Sequence, residues 1–269
     1  MIGIIGFGNM GKAIALSLRK RALIADSDNK KLRNLKNRYI RSAKNNIELV
    51  KRSNILILAV KPQNIKELLL EIRPFVKNKL VISIAAGIET HFIEEALTSR
   101  GTLKFPYSFS QIRVIRVMPN MPALVGKGIS AVSKGRYASR KDLETVHKIF
   151  LNIGEVVDVR EGLMDAVTAL SGSGPAYYFL LTDLLEKAGI KCGLNKALAR
   201  KLALATFVGG GEVASKSNIS MQELVKKVAS KGGTTEAALK VFKKKNLENI
   251  VKEAVISACN RSRLLSKIE

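Results

Sequence analysis

The chain has 269 residues, 46% of them hydrophobic, which is enough for two domains of ordinary size with a substantial core. It holds no run of about 18 uncharged apolar residues, so no membrane span is expected. Its only cysteines, Cys192 and Cys259, exclude a disulfide scaffold and point to a reducing cytoplasm. The formal net charge of +24 raises a nucleic-acid reading. The basic residues, however, are spread along the whole chain in runs no longer than three, such as Lys243 to Lys245, with no aromatic-interleaved tract, zinc motif or recognition-helix pattern. The charge reads as a solvated surface that draws in anionic ligands, and no nucleic-acid partner is expected.

Ile2 to Ile5 is a short apolar run, predicted as a strand. It leads into Gly6-Phe7-Gly8-Asn9-Met10-Gly11 and then Lys12-Ala13-Ile14-Ala15-Leu16, which is apolar at helical spacing. Strand, turn and helix in that order form the context a dinucleotide fingerprint requires. Gly6 permits the tight turn, Gly8 lets a pyrophosphate approach the backbone, and Gly11 lets helix and strand pack closely. The pyrophosphate would sit on the free N–H groups of the helix N-terminus. The bland alternative is a glycine-rich turn that binds nothing. The motif begins too near Met1 to leave room for a targeting peptide.

A second strand, Ala22 to Asp26, ends 20 residues beyond Gly6 in an acid placed for an adenosine ribose, which favours NADH. Lys30, Lys31 and Arg33 follow and suit the 2′-phosphate of NADPH instead. The two signals conflict, and the choice between NADH and NADPH stays open. Asp26 and Asp28 can equally serve as helix caps.

Ile55 to Val60 is a continuous apolar run, the mark of a strand buried on both faces. It ends in Lys61-Pro62-Gln63, and a helix with Ile65, Leu68, Leu69 and Ile72 follows. Leu80 to Ala85 is another buried strand, with Ala86-Gly87-Ile88 and a helix holding Phe92, Ile93 and Leu97 behind it. Strands at Val114 to Met118 and Ile129 to Val132, a helix from Ser139 to Leu151 and a strand at Glu155 to Val159 complete this half. Alternating strands and helices predict a parallel, doubly wound sheet over residues 1–160. Ligands of such sheets bind beyond the carboxyl ends of the strands.

Residues 161–269 show almost no strand pattern from Met164 on. Gly172, Gly174 and Pro175 punctuate a helix start, and helices are predicted over Ala176 to Gly189, Asn195 to Ser215, Glu236 to Lys245 and Leu247 to Leu265. Gly209-Gly210-Gly211 inside the second of these costs about 1 kcal/mol per residue against Ala, which suggests a close helix crossing or a break. Ser220-Met221-Gln222-Glu223 reads as a capping box that opens a further helix. So much apolar surface on an all-helical half is expected to bury against a second copy of the chain.

No metal-ligand cluster is apparent. The two histidines, His91 and His147, fall on amphipathic helices away from strand ends. A hydroxyacid dehydrogenase needs such a group for the alcohol proton. A protonated imine does not, because its carbon is already electrophilic, and catalysis then reduces to holding that carbon against a nicotinamide. Ala229-Ser230-Lys231-Gly232-Gly233-Thr234-Thr235 joins two helices. Its small residues expose backbone N–H groups at a helix N-terminus, suited to a carboxylate, and Thr234 or Thr235 can cap the helix. The bland alternative is an interhelical turn.

Five stretches in this order carry a resemblance over nearly the whole chain. They are Gly6 to Gly11, Ala59-Val60-Lys61-Pro62-Gln63, Met118-Pro119-Asn120-Met121-Pro122-Ala123, Ser171-Gly172-Ser173-Gly174-Pro175-Ala176-Tyr177 and Ser230 to Thr235. Together they resemble the Δ1-pyrroline-5-carboxylate reductase family. The resemblance implies a Rossmann domain followed by a helical domain that dimerises, often into rings of dimers. It implies reduction of 1-pyrroline-5-carboxylate to L-proline by NAD(P)H, the final step of proline synthesis. By position, Gly6, Phe7, Gly8, Asn9, Met10, Gly11, Asn46, Ala59, Val60, Lys61 and Pro62 hold the cofactor, with Asn120 and Pro119 bordering the nicotinamide. Ser230, Gly232, Gly233, Thr234 and Thr235 hold the substrate carboxylate, and Thr235 also hydrogen-bonds the ring nitrogen. The Ser171 to Ala176 turn shapes the dimer core and the site floor.

The chain departs from the family pattern at Lys231, usually Pro, at Met121, usually Thr, at Asn54, usually Asp, and at Asn218, often acidic. The segment Gly101 to Gln111 is also longer than the family minimum. These differences bear on substrate affinity more than on reaction type. The rival readings are a reductase of another cyclic imine or carbonyl on the same fold, and a basic nucleic-acid-binding protein that uses the fold as a scaffold.

Overall fold

A computed structural model describes residues 1–18, 22–33, 38–98 and 111–265. The chain divides into two compact units, Met1–Ser173 joined by the residues from Ala258 on, and Gly174–Ser257.

The first unit opens with β1 (Ile2–Ile5) and α1 (Asn9–Ser17), then β2 (Ala22–Ala25), β3 (Ile40–Ser42) and α2 (Asn46–Arg52). β4 (Ile55–Leu58), α3 (Ile65–Ile72), β5 (Leu80–Ser83) and α4 (Thr90–Thr98) follow. β6 (Arg113–Met118), β7 (Gly128–Lys134), α5 (Arg140–Phe150), β8 (Gly154–Asp158) and α6 (Met164–Val167) end it. The strands form one eight-stranded sheet in the order β3-β2-β1-β4-β5-β6-β7-β8. The chain order reverses between β1 and β4, whose residues pair in register from Ile2 beside Ile55 to Ile5 beside Leu58.

The continuous apolar strands are explained by two cores. Ile4, Ile57, Ile82 and Ile115 face one side, where Ile14 of α1 and Val146 and Phe150 of α5 cover them. Leu56, Leu58, Val81 and Val114 face the other, under Leu49 of α2, Leu69 and Ile72 of α3, and Ile93 and Leu97 of α4. Successive residues of a strand point to opposite faces, so helices on both faces favour apolar residues at every position of a central strand such as β4. All four apolar positions predicted for α3, Ile65, Leu68, Leu69 and Ile72, are buried. Ser139 caps α5 in a full capping box with Asp142.

The sheet differs from the expectation of uniform parallel pairing at one junction. β7 runs antiparallel to β6, while β8 is parallel to β7. Residues 119–127 are too few for a parallel crossover, which takes a dozen or more. Strands β2, β4 and β5 also stop before the predicted ends at Asp26, Val60 and Ala85; Asp26 and Val60 line the cleft described below, and Ala85 stays in the core. β3 and α2 were not expected. β3 has one buried apolar residue, Ile40, and exists through its pairing with β2. The segment Gly101 to Gln111 lies outside the described residues except for Gln111.

Compact packing keeps residues 161–173 with the sheet. α6 and the π-turn over Thr168–Gly172 bury Met164, Thr168 and Ala169. Gly172 lies against the Met118 side chain at the end of β6. A buried ion pair strengthens the attachment: Arg116 Nη1 of β6 meets Glu161 at 3.0 Å, and Glu161 also accepts from the Thr90 N–H of α4 at 3.2 Å.

The second unit holds α7 (Gly174–Lys191), α8 (Lys196–Lys216), α9 (Met221–Val228), α10 (Thr234–Lys244) and most of α11 (Leu247–Leu265). α11 ends in the first unit, where Ser262 Oγ donates to Asp165 at 2.7 Å. The Ser220–Glu223 capping box opens α9 with both reciprocal bonds in place. α8 runs unbroken through Gly209-Gly210-Gly211, and a Cβ on any of the three would meet nothing within 4 Å. The expected crossing or break is therefore not made within this chain. α7 and α8 pack along each other, with the Tyr178 and Phe207 rings 5.8 Å apart. Large apolar side chains stay outside, among them Leu180 at 59%, Val213 at 59% and Val228 at 71% exposure.

The central strands carry the first unit's stability. Replacing Ile57, fully buried in β4, in an Ile57→Ala variant is expected to cost about 2–5 kcal/mol in urea unfolding. A loss under about 1 kcal/mol would mean that this face of the sheet is not the core.

Candidate active site

Three glycines shape the turn from β1 to α1. Gly6 has φ +98°, and its missing Cβ would strike the Ala59 carbonyl. Gly11 lies on α1 where a Cβ would strike the Gly6 carbonyl. The turn therefore nestles between β4 and α1 at a distance that only glycine permits. Gly8 differs: a Cβ there meets nothing within 4 Å. Its side faces open space at the helix N-terminus, where Gly8 is the N-cap and no side chain caps the first turn. Uncapped N–H groups, a dipole and a free approach together make an anion site.

Asp26 supports this turn from the end of β2. Its Oδ2 accepts from Phe7 N–H at 2.6 Å and its Oδ1 from Asp28 N–H at 2.8 Å. Lys31 Nζ reaches the two oxygens at 3.0 and 3.2 Å. Burial pushes the Asp26 carboxyl up, but those two N–H groups and the Lys31 ammonium outweigh it and hold the pKa below the usual carboxylate value.

A cleft of about 560 Å³ opens over the ends of β1, β2 and β4. This is the switch point where an open α/β sheet binds its ligand. Gly6, Gly8, Asp26, Asn46, Ala59, Val60 and Lys61, all predicted for the cofactor, line it. Other predicted residues serve the turn from outside the cleft. Phe7 is buried in the core, Met10 packs on it, and Gly11 is buried. Asn9 starts α1, and Pro62 starts the short helical turn after β4. Asn120 follows β6 at the same edge of the sheet, with its Oδ1 accepting from Ile129 N–H at 2.9 Å. Asn46 gives its amide to Glu71 Oε2 at 2.8 Å. Sequence reasoning missed Ser27, Glu67 and Glu71 on the cleft wall. Glu67 and Glu71 stand four apart on the polar face of α3, a spacing that could have marked them.

The Ser230–Thr235 stretch joins α9 to α10. Gly232 takes φ +75°, and Gly233, not Thr234 or Thr235, is the N-cap, with no side chain bonded to the first turn. Within the turn, Gly233 N–H donates to Ser230 O at 3.0 Å and Gly232 N–H to the Glu236 carboxylate. That bond, with Lys240, holds the Glu236 carboxyl below its usual value. The uncapped donors are thus those of Thr234 and Thr235 at the head of α10. The histidines lie beside carboxylates away from the cleft, His91 Nε2 3.2 Å from Glu95 and His147 Nε2 2.7 Å from Asp158.

Residues 161–265 match the family model for pyrroline-5-carboxylate reductase dimerisation, and residues 1–87 that for NADP oxidoreductase, coenzyme F420-dependent. A pyrroline-5-carboxylate reductase of Corynebacterium melassecola is 35% identical over 99% of this chain and 98% of its own. The chain belongs to the pyrroline-5-carboxylate reductase family. Solved structures agree. The Plasmodium falciparum pyrroline carboxylate reductase with NADP bound is 30% identical, with a TM-score of 0.85 over 99% of this chain and 98% of that one. The Coxiella burnetii pyrroline-5-carboxylate reductase is 31% identical, with a TM-score of 0.86 and the same coverage. The residues of the β1–α1 turn fit a nicotinamide dinucleotide: the space a Gly8 side chain would fill lies open above an uncapped helix end.

Two measurements probe this site. Gly8→Ala is expected to leave the melting temperature unchanged and to weaken NAD(P)H binding by about tenfold or more, since the added methyl meets only the ligand. Unchanged affinity would place the pyrophosphate elsewhere. The Asp26 carboxylate has its lower pKa in the folded state, so its stabilisation is full above the unfolded value of about 3.9 and is lost as pH falls through the folded one. Asp26→Asn is then less stable than the parent near neutral pH, and the gap narrows on acidification below about pH 4. A gap in urea unfolding that did not change with pH would remove the charge from the account.

Proposed function

We propose that this chain reduces 1-pyrroline-5-carboxylate to L-proline with NAD(P)H, the final step of proline biosynthesis. The observation that carries the reading is the bare, uncapped glycine turn at the sheet's switch point, in a chain that follows the family over its full length. When bound, NAD(P)H supplies the hydride. The chain's own residues then have three tasks.

Gly6 to Gly11, Ala59 to Pro62 and Asn46 hold the dinucleotide along the strand ends, with Asn120 at the nicotinamide side. The Ser230–Thr235 turn holds the substrate carboxylate on the N–H groups at the head of α10, helped by the Ser230 and Thr235 hydroxyls. The Thr235 hydroxyl hydrogen-bonds the ring nitrogen. The protonated C=N bond accepts hydride at carbon, its π electrons pass to nitrogen, and a secondary amine results. The nitrogen already carries its proton, so no histidine is required, in keeping with the place of His91 and His147 beside Glu95 and Asp158. Orientation supplies the catalysis.

We place two copies in a homodimer built by the helical half, and dimers in turn in a ring. The exposed Leu180, Val213 and Val228 support an apolar interface there. We assign the enzyme to the cytoplasm, where Cys192 and Cys259 stay as the free thiols they are here. Among the described residues no helix is long and apolar enough to cross a membrane.

The test is loss of reduced-nicotinamide absorbance with 1-pyrroline-5-carboxylate, beside a panel of other cyclic imines and carbonyls. The proposal requires pyrroline-5-carboxylate to be the best acceptor. Thr235→Ala is expected to lower turnover on the order of 10²-fold while NAD(P)H affinity stays within about twofold. Turnover near that of the parent would take Thr235 out of the mechanism.

A further inference from the structure

Two neighbouring residues of the cleft, Asp26 and Lys31, compete in the sequence as selectors of NADH or NADPH. The structure brings them together. A carboxylate has about four acceptor positions. Asp26 fills them with Phe7 N–H, Asp28 N–H and the two approaches of Lys31 Nζ, at 2.6, 2.8, 3.0 and 3.2 Å. Its side chain is only 6% exposed. An acid spent in this way has nothing left for a ribose diol.

Lys31 is placed the other way round. Its side chain is 44% exposed and lines the cleft. An ammonium has three donors, and two are directed at Asp26, which leaves the third toward the ligand. The ion pair also holds the long side chain in place, so little freedom remains to be lost on binding. Ser27, exposed between the two residues, adds a hydroxyl on the same wall. Asp28 turns its Oδ1 to the Lys30 N–H at 3.0 Å. The other acids lining the cleft, Glu67 and Glu71, stand on α3, and Glu71 accepts from the Asn46 amide at 2.8 Å.

We propose that Lys31 selects the cofactor: backed by a saturated Asp26, its ammonium receives the 2′-phosphate, and the chain prefers NADPH to NADH. This rests on the cleft being the dinucleotide site, and it is independent of which imine is reduced.

The experiment is calorimetric titration of the whole chain with adenosine 2′,5′-bisphosphate and with 5′-AMP at one salt concentration, then with NADPH and NADH. The parent is expected to bind the bisphosphate about tenfold or more tightly than AMP, as a charge-assisted contact allows. Lys31→Met should bring the two within about twofold while AMP affinity holds, and Lys31→Arg should keep the preference. The parent's own ratio decides the matter even if a variant folds poorly. Equal binding, tighter AMP binding, or a preference that survives Lys31→Met would overturn the assignment. If the parent bound nucleotides without regard to the 2′-phosphate, only Lys31 would be lost. If it bound neither NADPH nor NADH, the dinucleotide cleft itself would fall.

Discussion

The missing side chain at Gly6 is the constraint on which the first unit depends. With φ +98° and the Ala59 carbonyl against the place a Cβ would occupy, the backbone turns out of β1 directly beside the end of β4. That turn determines where α1 begins and therefore where its unpaired N–H groups point. Gly11, set against the Gly6 carbonyl, presses the helix onto the strand. The turn also lies where the strand order reverses, between β1 and β4. One backbone geometry thus produces the helix start, the cleft and the anion site together.

Asp26 shows how a residue of a ligand site can be structural first. Its carboxylate fastens the Phe7 N–H of the turn, a bond between residues 19 apart in the chain. Burying a charged group is costly unless it is well partnered, and here two amides and an ammonium partner it. The cluster of Arg116, Glu161 and Thr90 ties β6 and α4 to the segment that leads into the helices.

The helical unit has a different economy. α7 and α8 cover one another, yet Leu180, Val213 and Val228 face outward, and the three glycines of α8 lie open. A soluble chain rarely leaves so much apolar surface uncovered by itself. Residues 161–265 match the family's dimerisation domain.

Much was legible in advance because local rules decide it. The continuous apolar run of β4, the helical spacing of Ile65, Leu68, Leu69 and Ile72, the capping box at Ser220 and the glycine spacing of the first turn are short-range signals that burial and hydrogen bonding enforce wherever they occur. Strand direction at β6 and β7, the existence of β3, and the return of the end of α11 to Asp165 were not legible, since each depends on what lies across the sheet or far along the chain. The open glycines of α8 likewise could not be told from a break. The sequence by itself determined that alternating strands and helices would build a dinucleotide-binding sheet ahead of a helical half. Only the tertiary structure decided that Asp26 is consumed by Phe7, Asp28 and Lys31, because a carboxylate's partners are set by which groups the fold brings within hydrogen-bond reach, and spacing along the chain does not carry that information.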